Sequence, residues 1–197
     1  MTNNITVVVA RYKEDITWTK QFPFANVVIY NKGDRLLESD KKYNEILLEN
    51  VGREGHTFYK YIYDNYYQLD DYTIFLQGHP FDHSPNIIEN IHTYININDP
   101  DLHIDFELLS SNIVGCNLSG CSYHPYLPFV SVYEQLFNEI KYEMPFTFGM
   151  GGQFIASKLR IFKHPREFYL KIVEMLQHDI NPIEGYVMER FHSLVFS

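Results

Sequence analysis

The stretch Asn50–His83, NVGREGHTFYKYIYDNYYQLDDYTIFLQGHPFDH, decides how the chain is read. It divides into a polar loop, a helix, a second loop, an apolar strand and a polar turn. Phe58, Ile62, Tyr66 and Leu69 recur at helical spacing and give the helix a core face. Tyr72–Leu76 is nearly all apolar, which predicts a strand in the middle of a sheet, covered on both faces. That strand stops at Gln77-Gly78-His79-Pro80, where Gly and Pro break the extended run. Open α/β sheets bind ligands in the crevice beyond the carboxyl ends of their strands, so this turn is the first candidate for a site. The helix opens on Gly52-Arg53-Glu54-Gly55-His56. A helix N-terminus offers unpaired N–H groups and the positive end of the dipole to an anion. Two polar clusters thus fall at corresponding ends of adjacent elements.

Upstream, Ile5–Ala10 is a continuous β-branched run, hence a buried strand. It gives way to a charged turn, Arg11-Tyr12-Lys13-Glu14-Asp15, and a helix through Trp18 to Gln21, with Asp15 as its cap or first-turn acid. Asn26–Tyr30 is a second buried strand, followed by the turn Asn31-Lys32-Gly33-Asp34. Arg35 to Asn44 is charged and patternless, a surface loop, and Glu45–Val51 is a short third strand. Strand, helix, two strands, helix and strand within the first eighty residues predict an α/β fold. Its sheet is mainly parallel and flanked by helices, in a single domain.

Downstream, Pro85–Ile95 is a helix with Ile87, Ile88, Ile91 and Ile95 on one side. Asn96–Ser122 mixes Asn, Asp, Gly and Ser with short apolar pairs and reads as irregular. Val130–Tyr142 is helical, and Phe146–Ile155 is a glycine-rich loop feeding a strand. Ser157–Phe162 and Pro165–Gln177 are helices, the second with Pro in its first turn. Ile183–Val195 is a terminal helix carrying Glu189, Arg190 and His192. There is no internal repeat or low-complexity tract.

At 197 residues one core is easily sustained, with roughly 70% of the unfolded chain's surface buried. Hydrophobic residues make up 45% and aromatics 16%, a globular composition rich in large core side chains. The net charge of −9 comes without a basic stripe, which argues against a duplex nucleic-acid partner and against an anionic lipid surface. The spacing of Cys116 and Cys121 matches no zinc pattern, and two reduced thiols in a cytosolic protein are expected rather than a local disulfide. Polar residues at the start and the lack of a long apolar run predict no signal peptide, no membrane span and a cytoplasmic location.

Several residues carry chemistry. His79, Asp82 and His83 place two imidazoles and a carboxylate within five positions, a set able to hold a divalent metal, although Pro80-Phe81-Asp82-His83 also suits an ordinary turn. Arg11, Lys13 and Glu14 follow the first strand, and Arg53, Glu54 and His56 follow the third. Parallel neighbours bring both turns to the edge that carries His79. Arginine there suits a phosphate, being a planar fork of donors; the alternative is paired surface charge. Gly151-Gly152-Gln153 lets a ligand approach the backbone closely, or forms a tight turn. Glu189 and His192, at i and i+3, share a face of an apolar helix. A carboxylate there is either an ion-pair partner of Arg190 or Arg53, or a base with raised pKa.

VVVARYKED (7–15), NVGREGHT (50–57), FLQGHPFDH (75–83) and the late GGQFIAS, EFY and ERFHSLVF together resemble a family of uncharacterised proteins known chiefly by these signatures, spread over nearly the whole chain. More distantly, the layout is similar to the GT-A glycosyltransferases, which use nucleotide-sugar donors. The resemblance implies a Rossmann-like domain with a nucleotide-binding half (1–95) and an acceptor-side half (96–197). In those enzymes the first strand ends at a loop that holds the nucleotide, here Ala10, Arg11, Tyr12 and Glu14. Arg53, Glu54, His56, Gln77 and Gly152 complete the implied donor site. A later buried strand ends in an Asp-x-Asp motif that binds the ribose and a Mn or Mg ion. Gln77-Gly78-His79 takes that place, with Gln77 a departure from the first Asp. His79, with Asp82 or His192, is then the implied ligand set for the divalent cation. Glu189 is the implied base toward the hydroxyl of a glycan or small-molecule acceptor. Two other readings stand beside it: a metal-dependent hydrolase built on His79, Asp82 and His83, and an inactive nucleotide-binding module.

Overall fold

The computed structural model describes residues 4–37, 43–95 and 103–196. The first three residues, the middle of the loop expected from Arg35 to Asn44 and the start of the stretch Asn96–Ser122 lie outside the described residues. Strands β1 (Ile5–Arg11), β2 (Asn26–Asn31), β3 (Asn44–Leu47) and β4 (Tyr72–Gln77) lie parallel in the order β3-β2-β1-β4. Further along come β5 (Phe106–Leu108), β6 (Ile113–Asn117), β7 (Pro145–Gly149) and β8 (Phe154–Ser157). β8 pairs antiparallel with β4, and β5 antiparallel with β8, extending the sheet to six strands. β6 and β7 form a separate antiparallel pair. The mainly parallel, helix-flanked α/β sheet expected from the alternation of elements is present.

Helices α1 (Arg53–Asn65), α2 (Ile87–Tyr94), α3 (Phe129–Phe137), α4 (Lys158–Ile161), α5 (Arg166–Leu176) and α6 (Ile183–Val195) pack around it. The sheet is covered on both faces, because its central strands are apolar on both. Val8, Phe75 and Phe154 point to a core shared with α1, α3, α5 and α6. Val7, Val9, Ile74, Leu76 and Ile155 point to a second core with α2 and the 3-10 turn Thr17–Gln21, which carries Trp18. Phe75 is fully buried among Phe58, Tyr61 and Phe154, with ring centroids 4.7–6.0 Å away.

The second half departs from expectation in four places. The stretch read as irregular contains β5 and β6. β5 is a three-residue edge strand and β6 buries only part of one face, so neither shows a period in the sequence. The glycine-rich segment is itself a strand as far as Gly149, alternating buried Phe146, exposed Thr147 and buried Phe148. α3 stops at Phe137, because Asn138 turns left-handed (φ 55°), a conformation Asn tolerates. Cys116 and Cys121 form a disulfide rather than two thiols; reciprocal 3.0 Å hydrogen bonds between Asn117 and Gly120 fold the chain back and bring them together.

Truncating Phe75 to Ala is expected to cost about 3–5 kcal/mol in urea unfolding. A loss below about 1 kcal/mol, the size of a surface change, contradicts the two-face packing of β4.

Candidate functional site

The chain leaves β1 toward β2 on one side and returns through β3 to β4 on the other, so the β1–β4 border is a topological switch point. The register pairs Ala10 with Gln77, so the loops after both strands leave the sheet side by side. Between them lies a cleft of about 450 Å³. Its walls are Ala10, Arg11, Tyr12 and Glu14 on one side and Gln77, Gly78, His79 and Asp82 on the other, closed by Lys32, Asn50, Arg53, Glu54, Ile180 and Asn181. Nine residues singled out in the sequence thus converge in one hollow. His56, Gly152, Glu189 and His192 do not line it.

The turn at the end of β4 is clamped from two sides. Gln153 accepts from the Gln77 N–H (3.1 Å) and donates to the Pro80 carbonyl (2.9 Å); the Trp18 indole donates to the Gly78 carbonyl (3.0 Å). Position 78 has no room for a side chain, since a Cβ there would lie 2.5 Å from Glu14 Oε2. That oxygen accepts from the N–H groups of Tyr12 (2.6 Å) and Lys13 (3.0 Å), which shapes the β1 loop.

Two expected anion-binding features are filled by the chain itself. Arg11 donates from Nε to the Glu14 carbonyl (3.0 Å) and from Nη1 to Asn31 Oδ1 (2.8 Å) and the Asp34 carbonyl (3.0 Å). It ties together the loops after β1 and β2, and those donors are not aimed at a phosphate. At the start of α1 the N–H groups of Gly52 and Arg53 donate to the carbonyls of Asp179 (2.8 Å) and Ile180 (3.3 Å), and that of Glu54 to its own carboxylate. The helix end is capped by the 179–180 turn instead of standing open.

The charged groups deeper in the cleft are coupled. The Lys32 ammonium donates to the carbonyls of Val51 (2.5 Å) and Arg53. Burial pushes it down to about 8, against the pull of Glu54. Burial raises Glu54 above the ordinary carboxylate range; Arg53, 3.7 Å away, opposes the shift and the Glu189 carboxylate adds to it. Gly152 (φ 61°) stands where these groups meet: a Cβ there would lie 3.1 Å from Glu189 Cγ, 3.3 Å from His192 Nε2 and 3.7 Å from Glu54 Oε1. Glu189 accepts from the Gly151 N–H (3.0 Å) and faces Arg190 Nη1 (3.4 Å), so it sits behind the cleft wall as an ion-pair partner of Arg190.

The expected cation ligands separate. His79 Nε2 and Asp82 Oδ1 are 3.4 Å apart on the exposed rim. His192 is fully buried, with Nδ1 2.8 Å from the Tyr59 hydroxyl, and burial pushes it down to about 3. His83 packs against Gly151. Among the described residues no three His, Cys, Asp or Glu side chains form a group able to hold a metal ion. His56 is a buried residue of the first turn of α1, pushed down to about 4 by burial and then by Lys32 and Lys60. Among the described residues, no helix is long and apolar enough to cross a membrane.

Sequence reasoning gave no role to Lys32, Asn50, Ile180 and Asn181 in the cleft or to Trp18 in the clamp, and read Gln153 only as part of the glycine turn Gly151–Gln153. Only Lys32 carried a signal, its place in the turn after a parallel strand. Residues 7–102 match a family described as "Protein of unknown function (DUF3431)". The match takes in the loops after β1, β2 and β4 and the start of α1; the late glycines and α6 lie outside it. No curated protein and no solved structure matches the chain.

Two measurements check these electrostatics. His56 and His192 bind protons more readily unfolded than folded, so stability falls as pH drops from about 6.5 through about 4. Urea unfolding across that range is expected to show the decline, with a shallower slope in His56→Gln. Glu54 has the opposite sign: its contribution is present below the ordinary carboxylate range and is lost as pH rises through its raised titration. Glu54→Gln is therefore expected to raise the unfolding midpoint at neutral pH; a lowered midpoint overturns the assignment of a costly buried charge.

Proposed function

We propose that the chain is a GT-A-like glycosyltransferase, which binds a nucleotide-sugar donor in the β1–β4 cleft and passes the sugar to the hydroxyl of a glycan or small-molecule acceptor. The observation that carries this reading is the convergence of the β1 and β4 loops on one hollow at the switch point. These are the two loops to which the resemblance assigns the nucleotide and the ribose and cation. The charge pattern adds support: Arg53 and Lys32 offer cationic donors, and Glu54 is a cleft carboxylate whose proton affinity is raised. Toward the acceptor, Glu54 takes the place first given to Glu189. It accepts the hydroxyl proton as the oxygen attacks, and Glu189 behind it raises its affinity for that proton. Gly152 keeps both carboxylates close by having no side chain.

A divalent cation fits this site in a limited way. His79 and Asp82 would supply two ligands on the rim, leaving positions for phosphate oxygens, an arrangement that suits Mg or Mn. When bound, the ion would offset charge on the leaving diphosphate. Gln77 offers an amide where a carboxylate is expected, and this favours a second reading, an inactive nucleotide-binding module. The hydrolase reading has no comparable support, because His83 packs against Gly151 and, among the described residues, His79, Asp82 and His83 do not form a group able to hold a metal ion.

The test is a thermal-shift panel of nucleotide sugars with and without Mn, followed by release of nucleoside diphosphate. A ligand at ~100 times its Kd adds about 2.7 kcal/mol, or several degrees at this chain length. Stabilisation with turnover, lost in Glu54→Gln while donor binding persists, is the expected result. Stabilisation that survives His79→Ala without turnover selects the inactive module. No shift with any nucleotide or nucleotide sugar overturns both.

A further inference from the structure

We propose that Lys32 and Arg53 form a subsite for a phosphate-class anion inside the cleft, with the Lys32 ammonium donating to the diphosphate of the bound nucleotide. The proposal rests on the reading of the cleft as a donor site and names the groups that hold the charged part of the ligand. Four basic side chains line the cleft: Arg11, Lys32, Arg53 and His79. Arg11 spends Nε and Nη1 on loop acceptors. His79 stands on the exposed rim beside Asp82.

Lys32 differs from both. An ammonium carries three N–H donors. Two of them go to the carbonyls of Val51 and Arg53, on the connection from β3 into α1. These bonds hold the ammonium and leave one donor over, on a side chain of a residue that lines the cleft. Arg53 stands beside it on a left-handed backbone (φ 52°), its guanidinium 4.1 Å from the Tyr186 ring centroid. Its Nη1 is buried and has no hydrogen-bond partner among the described residues. A buried guanidinium N–H left unpaired is costly, and the residue that carries it lines the cleft. Stacking on Tyr186 restricts the guanidinium, so little side-chain freedom remains to be lost on binding.

The groups facing Lys32 are Glu54 and Arg53 from α1, with His56 below them. Glu54 offsets part of the positive charge at this point of the cleft. His56 is neutral at physiological pH and does not add to the field. A Lys32 that only tethers the β3–α1 connection would predict a loss of stability on replacement with no change in anion affinity.

Isothermal titration of the full chain with pyrophosphate, UDP and uridine separates these cases. Pyrophosphate and UDP are expected to bind, uridine much more weakly, and Lys32→Met to weaken both anions by about tenfold or more, the worth of one charge-assisted hydrogen bond. Lys32→Arg keeps the charge and is expected to stay close to the unsubstituted chain. Sulfate, whose own charge is constant over the range, should bind less tightly as pH rises through about 8, and the slope should vanish in Lys32→Arg. If Lys32→Met does not fold, this pH comparison and Arg53→Gln carry the test. Unchanged pyrophosphate affinity in Lys32→Met, or a sulfate slope that persists in Lys32→Arg, overturns the subsite while leaving UDP binding intact. Failure of pyrophosphate and UDP to bind the unsubstituted chain overturns it as well. Lys32-dependent pyrophosphate binding with no gain for UDP sustains the subsite and removes the nucleotide-sugar reading.

Discussion

The pairing of β1 with β4 is the constraint on which the molecule depends. The two strands are distant in sequence, parallel, and buried on both faces, so their register is set by two cores at once. A slip of one residue would exchange the faces of Val8 and Phe75 with those of Val7, Val9, Ile74 and Leu76, moving large and small side chains into the wrong layers. The same register sets Ala10 beside Gln77. The cleft is therefore a consequence of core packing, because the two loops that wall it have no freedom to separate.

The second half of the chain completes that hollow without forming a separate unit. β8 enters the sheet beside β4, and this places Gln153 against the turn Gln77–Pro80. Trp18 holds the same turn through the Gly78 carbonyl. A loop clamped through its backbone by an amide and an indole presents its side chains in a preset arrangement, which lowers the entropy lost when a ligand binds. Two glycines make this possible, one where Glu14 occupies the side-chain space and one where Glu189 and His192 do.

Charge is concentrated around Arg53, Glu54, Lys32, Glu189 and Arg190, which are largely shielded from solvent. Burying charge costs free energy, and only part of that cost returns through pairing. A fold seeking stability alone would replace such a group with packed apolar side chains. Perturbed carboxylate and ammonium groups lining one cleft are the pattern expected where binding or proton transfer is selected over stability. The start of α1 sharpens the point: the N–H groups of Gly52, Arg53 and Glu54 are taken by the chain itself, so the cationic groups of the cleft are side chains.

The amino-acid sequence by itself determined the sheet of the first half and the edge on which the cleft lies. Ile5–Ala10, Asn26–Tyr30 and Tyr72–Leu76 are apolar runs that fit only buried parallel strands, and the polar residues after each must then fall on one edge. It also pointed to Ala10, Arg11, Tyr12, Glu14, Arg53, Glu54, Gln77, His79 and Asp82, which share the cleft. Only the tertiary structure decided which neighbours each side chain meets. Arg11 turned to loop carbonyls, Glu189 and His192 fell behind Gly152, and Lys32 entered the cleft. β5 and β6 were hidden because a short edge strand owes its conformation to its neighbour. The direction of a side chain depends on acceptors contributed by residues a hundred or more positions away, as with Asp179 and Ile180 at the start of α1, and local pattern holds no record of those partners.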